Sequence, residues 1–271
     1  MLKAAFQGET GAFSEDAAIS FFGDVETIPY CTFNDVFQAV LSDEVEFGVV
    51  PVENSQAGSI NETYDLLLNY PVVIFGEVNM RINHFLVALP GETLESITAV
   101  HSHPQALAQC QEFIGKLNVQ IFPGYNTAGS AKRIREEGIK GTAAIASRRA
   151  AEIYDLTILA SNIETNINNY TKFFIISKKQ AKHSKTNKTS LVLSTKNVPG
   201  ALYSILGAFA NRNINLTKLE SRPGRERPWE YVFYVDFEGH INDDLCKDAL
   251  EDIKGKTSFI KILGSYPRAK D

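Results

Sequence analysis

The 271 residues are 44% hydrophobic and 22% charged, which excludes the disordered and fibrous classes and suits a soluble globular chain of about two domains. A net charge of −5 gives no general attraction to nucleic acid or to an anionic membrane, although a small anionic substrate is still allowed by a local field. No basic-apolar leader opens the sequence and no apolar run approaches the ~20 residues that span a bilayer, so a cytoplasmic, non-membrane protein is expected. Cys31, Cys110 and Cys246 are odd in number and far apart, which points to reduced thiols rather than a disulfide framework or a metal site.

Ala4-Ala5-Phe6 reads as a first strand running into the turn Gln7-Gly8-Glu9-Thr10-Gly11-Ala12-Phe13. Ser14 is the expected N-cap of a helix carrying Ala17, Ala18, Phe21 and Phe22. Backbone N–H groups at such a turn suit an anion. The turn is neither GxGxxG nor a P-loop, so an ordinary tight turn explains it at least as well. A helix over 34–41 and a buried strand at 47–50 lead into Pro51-Val52-Glu53-Asn54-Ser55-Gln56-Ala57-Gly58-Ser59, a second strand-to-helix mouth. Ser59 or Asn61 is expected to cap a helix over 61–69. Glu53, a carboxylate ending a buried strand, needs a partner or a proton.

Extended segments at 72–78 and 85–89 suit a crossing from one lobe to another. The second lobe repeats the rhythm with a strand at 97–101 and a helix opened by Ser102-His103-Pro104-Gln105-Ala106. That helix carries an apolar face of Leu107, Cys110, Ile114 and Leu117. Strands at 119–122 and 143–146 are each followed by a helix, the first opened by Thr127-Ala128-Gly129-Ser130-Ala131 and the second over 147–154. His101 and His103 have no third ligand at a recognisable spacing, so structural or capping roles are favoured over a metal. A strand at 156–159 begins the return that ends at Asn169-Tyr170-Thr171-Lys172 and the apolar run 173–176. Alternation sends Thr171 and Phe173 to one face of that strand and Lys172 to the other.

The polar, basic and aperiodic stretch after Ser177 reads as a linker, placed at 179–188. Beyond it the order is strand (190–194), helix (199–211), strand (214–220), strand (230–237), helix (243–253), strand (258–263). This βαββαβ order is the ferredoxin-like signature. The preceding residues form an α/β domain with parallel character, in which ligands gather at the carboxyl ends of strands. Hydroxyl-bearing mouths at 10–14, 54–59, 102–105, 127–130 and 171–172 suit a small acid held by oriented dipoles. No metal, flavin, nicotinamide or nucleotide motif competes with that reading.

Pro51-Val52-Glu53-Asn54-Ser55, Ser102-His103-Pro104-Gln105-Ala106-Leu107 and Asn169-Tyr170-Thr171-Lys172-Phe173 together resemble bacterial prephenate dehydratase. Asn197-Val198-Pro199-Gly200-Ala201-Leu202, Glu220-Ser221-Arg222-Pro223 and Leu263-Gly264-Ser265-Tyr266-Pro267 resemble the ACT regulatory domain of that enzyme. The likeness runs through nearly the whole chain in the family's order. It implies a two-lobed catalytic domain similar to type II periplasmic binding proteins over 1–178, with lobes of roughly 1–78 plus 160–178 and 79–159. An ACT domain over 189–271 follows the linker.

The activity implied is cofactor-free conversion of prephenate to phenylpyruvate, with loss of carbon dioxide and water. By the family match Thr171 is the catalytic hydroxyl, and Asn54, Ser55, Ser102, Gln105, Thr127, Ser130, Lys172 and Phe173 are substrate contacts. The family usually has Thr-Arg-Phe where this chain has Thr171-Lys172-Phe173. Lysine lacks the two-pronged donor, so the change matters only if that cation grips a carboxylate; pairing on the opposite face of the strand is preferred. The resemblance places an effector, phenylalanine, near Asn197, Pro199, Gly200, Ala201, Leu202, Glu220, Ser221 and Arg222, between copies of a homo-oligomer, dimer or tetramer. Read without the resemblance, those residues make a strand-helix turn and a surface ion pair between Glu220 and Arg222. Two other classes fit the pattern, a small-molecule binding protein without catalysis and an amino-acid sensor acting on a partner.

Overall fold

A computed structural model describes residues 1–224 and 231–269. In chain order the elements open with β1 (Lys3–Gln7), α1 (Phe13–Phe22), β2 (Glu26–Tyr30), α2 (Phe33–Leu41), β3 (Phe47–Asn54), β4 (Gly58–Ser59), α3 (Asn61–Asn69) and β5 (Val73–Arg81). There follow β6 (Phe85–Ala88), β7 (Ala99–Ser102), α4 (Pro104–Gln109), α5 (Gln111–Ile114), β8 (Gln120–Pro123), α6 (Thr127–Glu137), β9 (Thr142–Ala146), α7 (Arg148–Ile153) and β10 (Thr157–Ser161). The last are β11 (Tyr170–Ser177), β12 (Asn187–Thr195), α8 (Ala201–Ala210), β13 (Leu216–Pro223), β14 (Tyr231–Glu238), α9 (Asp244–Lys254) and β15 (Thr257–Pro267). The chain divides into two compact units, Met1–Thr63 with Val78–Phe173 and Tyr64–Glu77 with Phe174–Asp271.

Three sheets carry these strands, ordered β2-β1-β3-β11-β5 with β4 beside β3, β10-β6-β9-β7-β8, and β13-β14-β12-β15. The parallel pairs gather towards one edge of the sheet in each α/β lobe. β1 runs parallel to both β2 and β3, and β7 to both β8 and β9. β1 and β9, inside their sheets, are covered on both faces, which is why Ala4, Ala5 and Phe6, and Ala143 to Ala146, form unbroken buried runs, whereas the edge strands β2 and β8 do not. The second lobe's core gathers Leu86, Val100, Cys110, Ile145 and Ile163. The third sheet is antiparallel throughout and its strand order is that of a ferredoxin-like fold. Leu191, Leu193, Ile205, Phe209, Phe237 and Ile253 fill its core.

Several boundaries differ from the sequence expectation for local reasons. Ser14 does not cap α1: Ala12 holds the N-cap position, and the buried Glu15 carboxylate accepts the Gly11 N–H at 2.6 Å instead. The turn closes early because Gly11, at φ 90°, lies so near α7 that a Cβ would stand 2.8 Å from the Ala150 Cα. The helix expected after Ser102 breaks at Cys110, although the Cys110 N–H still reaches the Ala106 carbonyl and the apolar face carries on. β3 extends through Asn54 because it pairs with β4, so Glu53 and Asn54 belong to the strand itself. β12 opens at Asn187 rather than 190, which draws Asn187 and Lys188 out of the expected linker into a buried strand. The expected strand start at Glu230 lies outside the described residues, and among those described β14 begins at Tyr231.

Candidate functional site

The ends of β3 and β11 lie side by side, and their polar side chains meet where the apolar strand cores stop. Asn54 Oδ1 accepts the Gln56 and Ala57 backbone N–H groups, each at 3.0 Å, which fixes the amide's orientation. Its Nδ2 then faces Asn169 Oδ1 at 2.8 Å, Thr171 Oγ1 at 3.0 Å and the Tyr170 carbonyl at 3.2 Å. Asn54 and Thr171 are 5% and 8% exposed, sheltered enough for each hydrogen bond to count and open enough for a ligand to touch. Ser55 stitches the same strand ends, donating to the Asn168 carbonyl at 2.9 Å and accepting from the Tyr170 N–H at 3.0 Å. Lys172 forms an ion pair with Glu53 at 3.1 Å, which supplies the partner that carboxylate requires, and Phe173 is buried.

The chain of amides runs on into the second lobe. Asn169, wholly buried, donates through Nδ2 to Gln109 Oε1 at 3.1 Å, and Gln109 Nε2 lies 3.4 Å from Asn169 Oδ1. The same Gln109 oxygen stands 2.8 Å from His84 Nε2. Burial holds the His84 ring below its ordinary pKa, so it is neutral at pH 7. Asn169 stands in the motif that carries Thr171 but has no role assigned from sequence. Gln109, one helical turn past Gln105, is masked by a helix read for its apolar face.

The other expected contacts lie in the second lobe. Ser102 is fully buried and donates to the Ile145 carbonyl at 2.7 Å. Ser130 donates to the Asn126 carbonyl at 2.9 Å, and Asn126 rather than Thr127 caps α6. Thr127 is half-buried at the first position of that helix, and Gln105 is exposed. A cavity of about 320 Å³ lies beside α6, between Glu9, His101, Tyr125, Ser130 and Arg133. His103 caps α4 through its Nδ1, 3.2 Å from the Gln105 N–H, and the His101 ring stacks on Phe122. Lys132 to Glu9 at 2.9 Å and Ser147 Oγ to the Gly11 carbonyl at 2.6 Å join the two lobes.

In the second unit Asn197, Pro199 and Gly200 form an exposed turn, with Gly200 at φ 80° in the N-cap position of α8 and Ala201 and Leu202 half-buried behind it. Glu220 pairs with Lys218 at 3.0 Å and with Arg222 at 3.1 Å, all three on one face of β13, while Ser221 points to the other. Lys218 and Arg222 both lie over the ring of Tyr64, each 5.2 Å from its centroid. Tyr64 in turn contacts Tyr234, with ring centroids 4.8 Å apart.

The model of the prephenate dehydratase family matches residues 4–181, and that of the ACT domain matches residues 189–255. The chain belongs to the prephenate dehydratase family. It is therefore a dehydratase, a carbon–oxygen lyase, with an ACT domain at its C-terminal end. It is 42% identical to the bifunctional chorismate mutase/prephenate dehydratase of Pseudomonas aeruginosa, over 99% of this chain and 74% of that one. Among solved structures it is similar to a prephenate dehydratase of Arthrobacter aurescens in complex with L-Phe, at 32% identity and a TM-score of 0.90, over 98% and 90% of the two chains. A structure described as GqqA, a quorum-quenching acylase, is similar to the same degree, at 34% identity and a TM-score of 0.90 over 98% of each chain. No helix among the described residues is long and apolar enough to cross a membrane.

Proposed function

We propose that this chain converts prephenate to phenylpyruvate with Thr171 as hydrogen donor to the departing hydroxyl. The ring carboxylate leaves as carbon dioxide, and its electron pair moves through the ring as the opposite carbon–oxygen bond breaks. The departing hydroxide takes a proton from Thr171 Oγ1 and leaves as water, and the threonine regains a proton from solvent. Aromatisation supplies the driving force, so the protein has to orient the dianion and stabilise the leaving group. The observation that carries this role is the bond from Asn54 Nδ2 to Thr171 Oγ1. It fills an acceptor site of the hydroxyl and leaves the proton for an acceptor outside the protein. Among the described residues no base hydrogen-bonds to Thr171, which favours a donor over the activated nucleophile that acyl transfer requires.

Ser102 and Ser130 give their protons to backbone carbonyls, so they offer a dianion only lone pairs. Gln105 and Thr127 are the better donors for its carboxylates, with Asn54 and Ser55 setting the position of Thr171. Lys172 and Phe173 lie behind them as support.

In the same reading residues 1–178 carry catalysis and the ACT region from β12 onward regulates by binding phenylalanine, as the L-Phe complex of the Arthrobacter relative suggests. The amino acid's carboxylate meets the backbone N–H groups opened by Gly200 at the start of α8. Glu220 already engages two cations, so an ammonium there has to exchange for one of them. β13 is an edge strand, and it is the natural seam for a homo-oligomer, dimer or tetramer, in the cytoplasm.

The test is release of phenylpyruvate from prephenate by the wild type, Thr171→Ala and Thr171→Ser, each with and without phenylalanine. Thr171→Ala is expected to lose at least about 100-fold in kcat while Thr171→Ser keeps most of it. No turnover by a folded wild type overturns the reaction. Equal turnover in Thr171→Ala keeps the reaction and removes this residue from it.

A further inference from the structure

We propose that His84 is a positioning residue for this reaction: as an Nε2–H donor it fixes the direction of the buried amide chain that ends on Thr171. The inference rests on the role given to Thr171 above, but its geometry stands by itself. Each link is an amide able to flip, exchanging a donor for an acceptor at nearly the same place, so direction has to be imposed from the ends.

One end is anchored by backbone. Two N–H groups hold Asn54 Oδ1, so Asn54 Nδ2 can only donate. Asn169 must therefore present its oxygen to Asn54 and its nitrogen to Gln109, and Gln109 must present its oxygen to Asn169 Nδ2. That same oxygen faces His84 Nε2 at 2.8 Å and has only lone pairs to offer, so His84 has to supply the hydrogen. His84 is the other anchor.

The opposite tautomer would set a bare nitrogen against an oxygen. Flipping Gln109 to relieve that contact sets its oxygen against Asn169 Oδ1, and flipping Asn169 in turn sets two N–H groups against each other at Asn54. With His84 and Asn169 only 2% and 0% exposed, mismatches at these two groups are shielded from bulk water and carry a full desolvation cost. The cheapest escape is to pull Asn54 Nδ2 away from Thr171.

The ring is held for this task. Its edge meets Phe13 at 5.7 Å, its backbone N–H donates to Glu164 Oε2 at 3.0 Å, and its carbonyl accepts from Ile163 at 3.1 Å. Among the described residues Nδ1 is buried with no partner, as expected of the nitrogen that carries no hydrogen. His84 lies three side chains from Thr171 and touches no reacting atom, so its effect is expected in turnover rather than in binding.

Two measurements test this in the full-length chain. Nitrogen-15 NMR of labelled histidines is expected to show neutral His84 as the Nε2–H tautomer; the Nδ1–H form overturns the proposal, whether or not prephenate is turned over. Among variants, His84→Gln places an amide N–H near the original Nε2, and His84→Met places none. His84→Met is expected to lower kcat roughly 10- to 100-fold with KM within about 2-fold, and His84→Gln to recover most of the loss at matched thermal stability. Wild-type kcat in both variants, or a glutamine no better than methionine when both are folded, overturns it.

Discussion

Each unit of this protein buries a polar network, and the two are built from opposite materials. In the first, Thr171, Asn54, Asn169, Gln109 and His84 form a neutral chain whose meaning lies in the direction of its hydrogens. In the second, Glu77 and Lys188 form a buried ion pair at 2.7 and 2.8 Å, and Glu220, Lys218 and Arg222 form a second cluster over the Tyr64 ring. A neutral amide chain attracts weakly at each link but can aim one proton. A buried ion pair is costly to break from one side and carries no direction. The first kind of network suits chemistry, and the second suits holding a fold in place. Losing a member should therefore cost activity in the first unit and stability in the second.

Breaking the ionic network should give the largest effect. Lys188→Met leaves Glu77 buried without its cation and is expected to cost about 3–5 kcal/mol in urea unfolding, whereas pairing it with Glu77→Leu should recover much of the loss. If the single variant cost less than about 1 kcal/mol, the contrast between the networks would collapse.

A smaller effect sharpens the comparison inside the first unit, where a charge has been taken partly out of water. Burial pushes the Asp16 carboxyl up to about 6, in spite of Arg149 at 3.6 Å. The unfolded chain ionises this group near its ordinary 3.8, before the folded chain does, so stability is lost as pH rises between those values. Asp16→Asn should match the wild type below about pH 4 and exceed it by about 1–2 kcal/mol above pH 6, read from unfolding curves across that range. Equal stability at every pH would contradict the shift.

The smallest effect belongs to Lys172, whose pair with Glu53 is partly in water. Lys172→Met and Lys172→Arg should each change stability by no more than about 1 kcal/mol. Turnover should stay within about 2-fold, because the pair lies on the strand face away from Thr171. A tenfold fall in Lys172→Met alone would instead place this cation on the substrate.

The strands and helices were legible because they follow from runs of apolar residues and their spacing. Ala4 to Phe6 and Phe173 to Ile176 declare buried strands, and the βαββαβ order declares the third sheet. Asn54 and Thr171 stood out as polar groups at strand ends. Periodicity reports which face of an element is apolar, not which polar groups will meet. Gln109 therefore hid on a helix read for Leu107 and Cys110, and His84 hid at the start of a crossing strand. Tyr64 looked like any residue of its helix, and only tertiary structure sets its ring beneath cations from β13.

The chain passes between its two units at Thr63–Tyr64, Glu77–Val78 and Phe173–Phe174, so residues 64–77 are made early but belong to the later unit. Gly264 has no room for a side chain because Ile74 lies against it, and Lys261 caps the carbonyls of Leu67, Leu68 and Tyr70, each at 2.9 Å. An ACT module lifted out at residue 189 would leave that helix and half-strand behind, with a lysine short of three acceptors and an apolar face bare. Grafting the ACT unit onto another enzyme thus means transplanting two separate stretches of sequence, and its portability is less than a contiguous gene segment suggests.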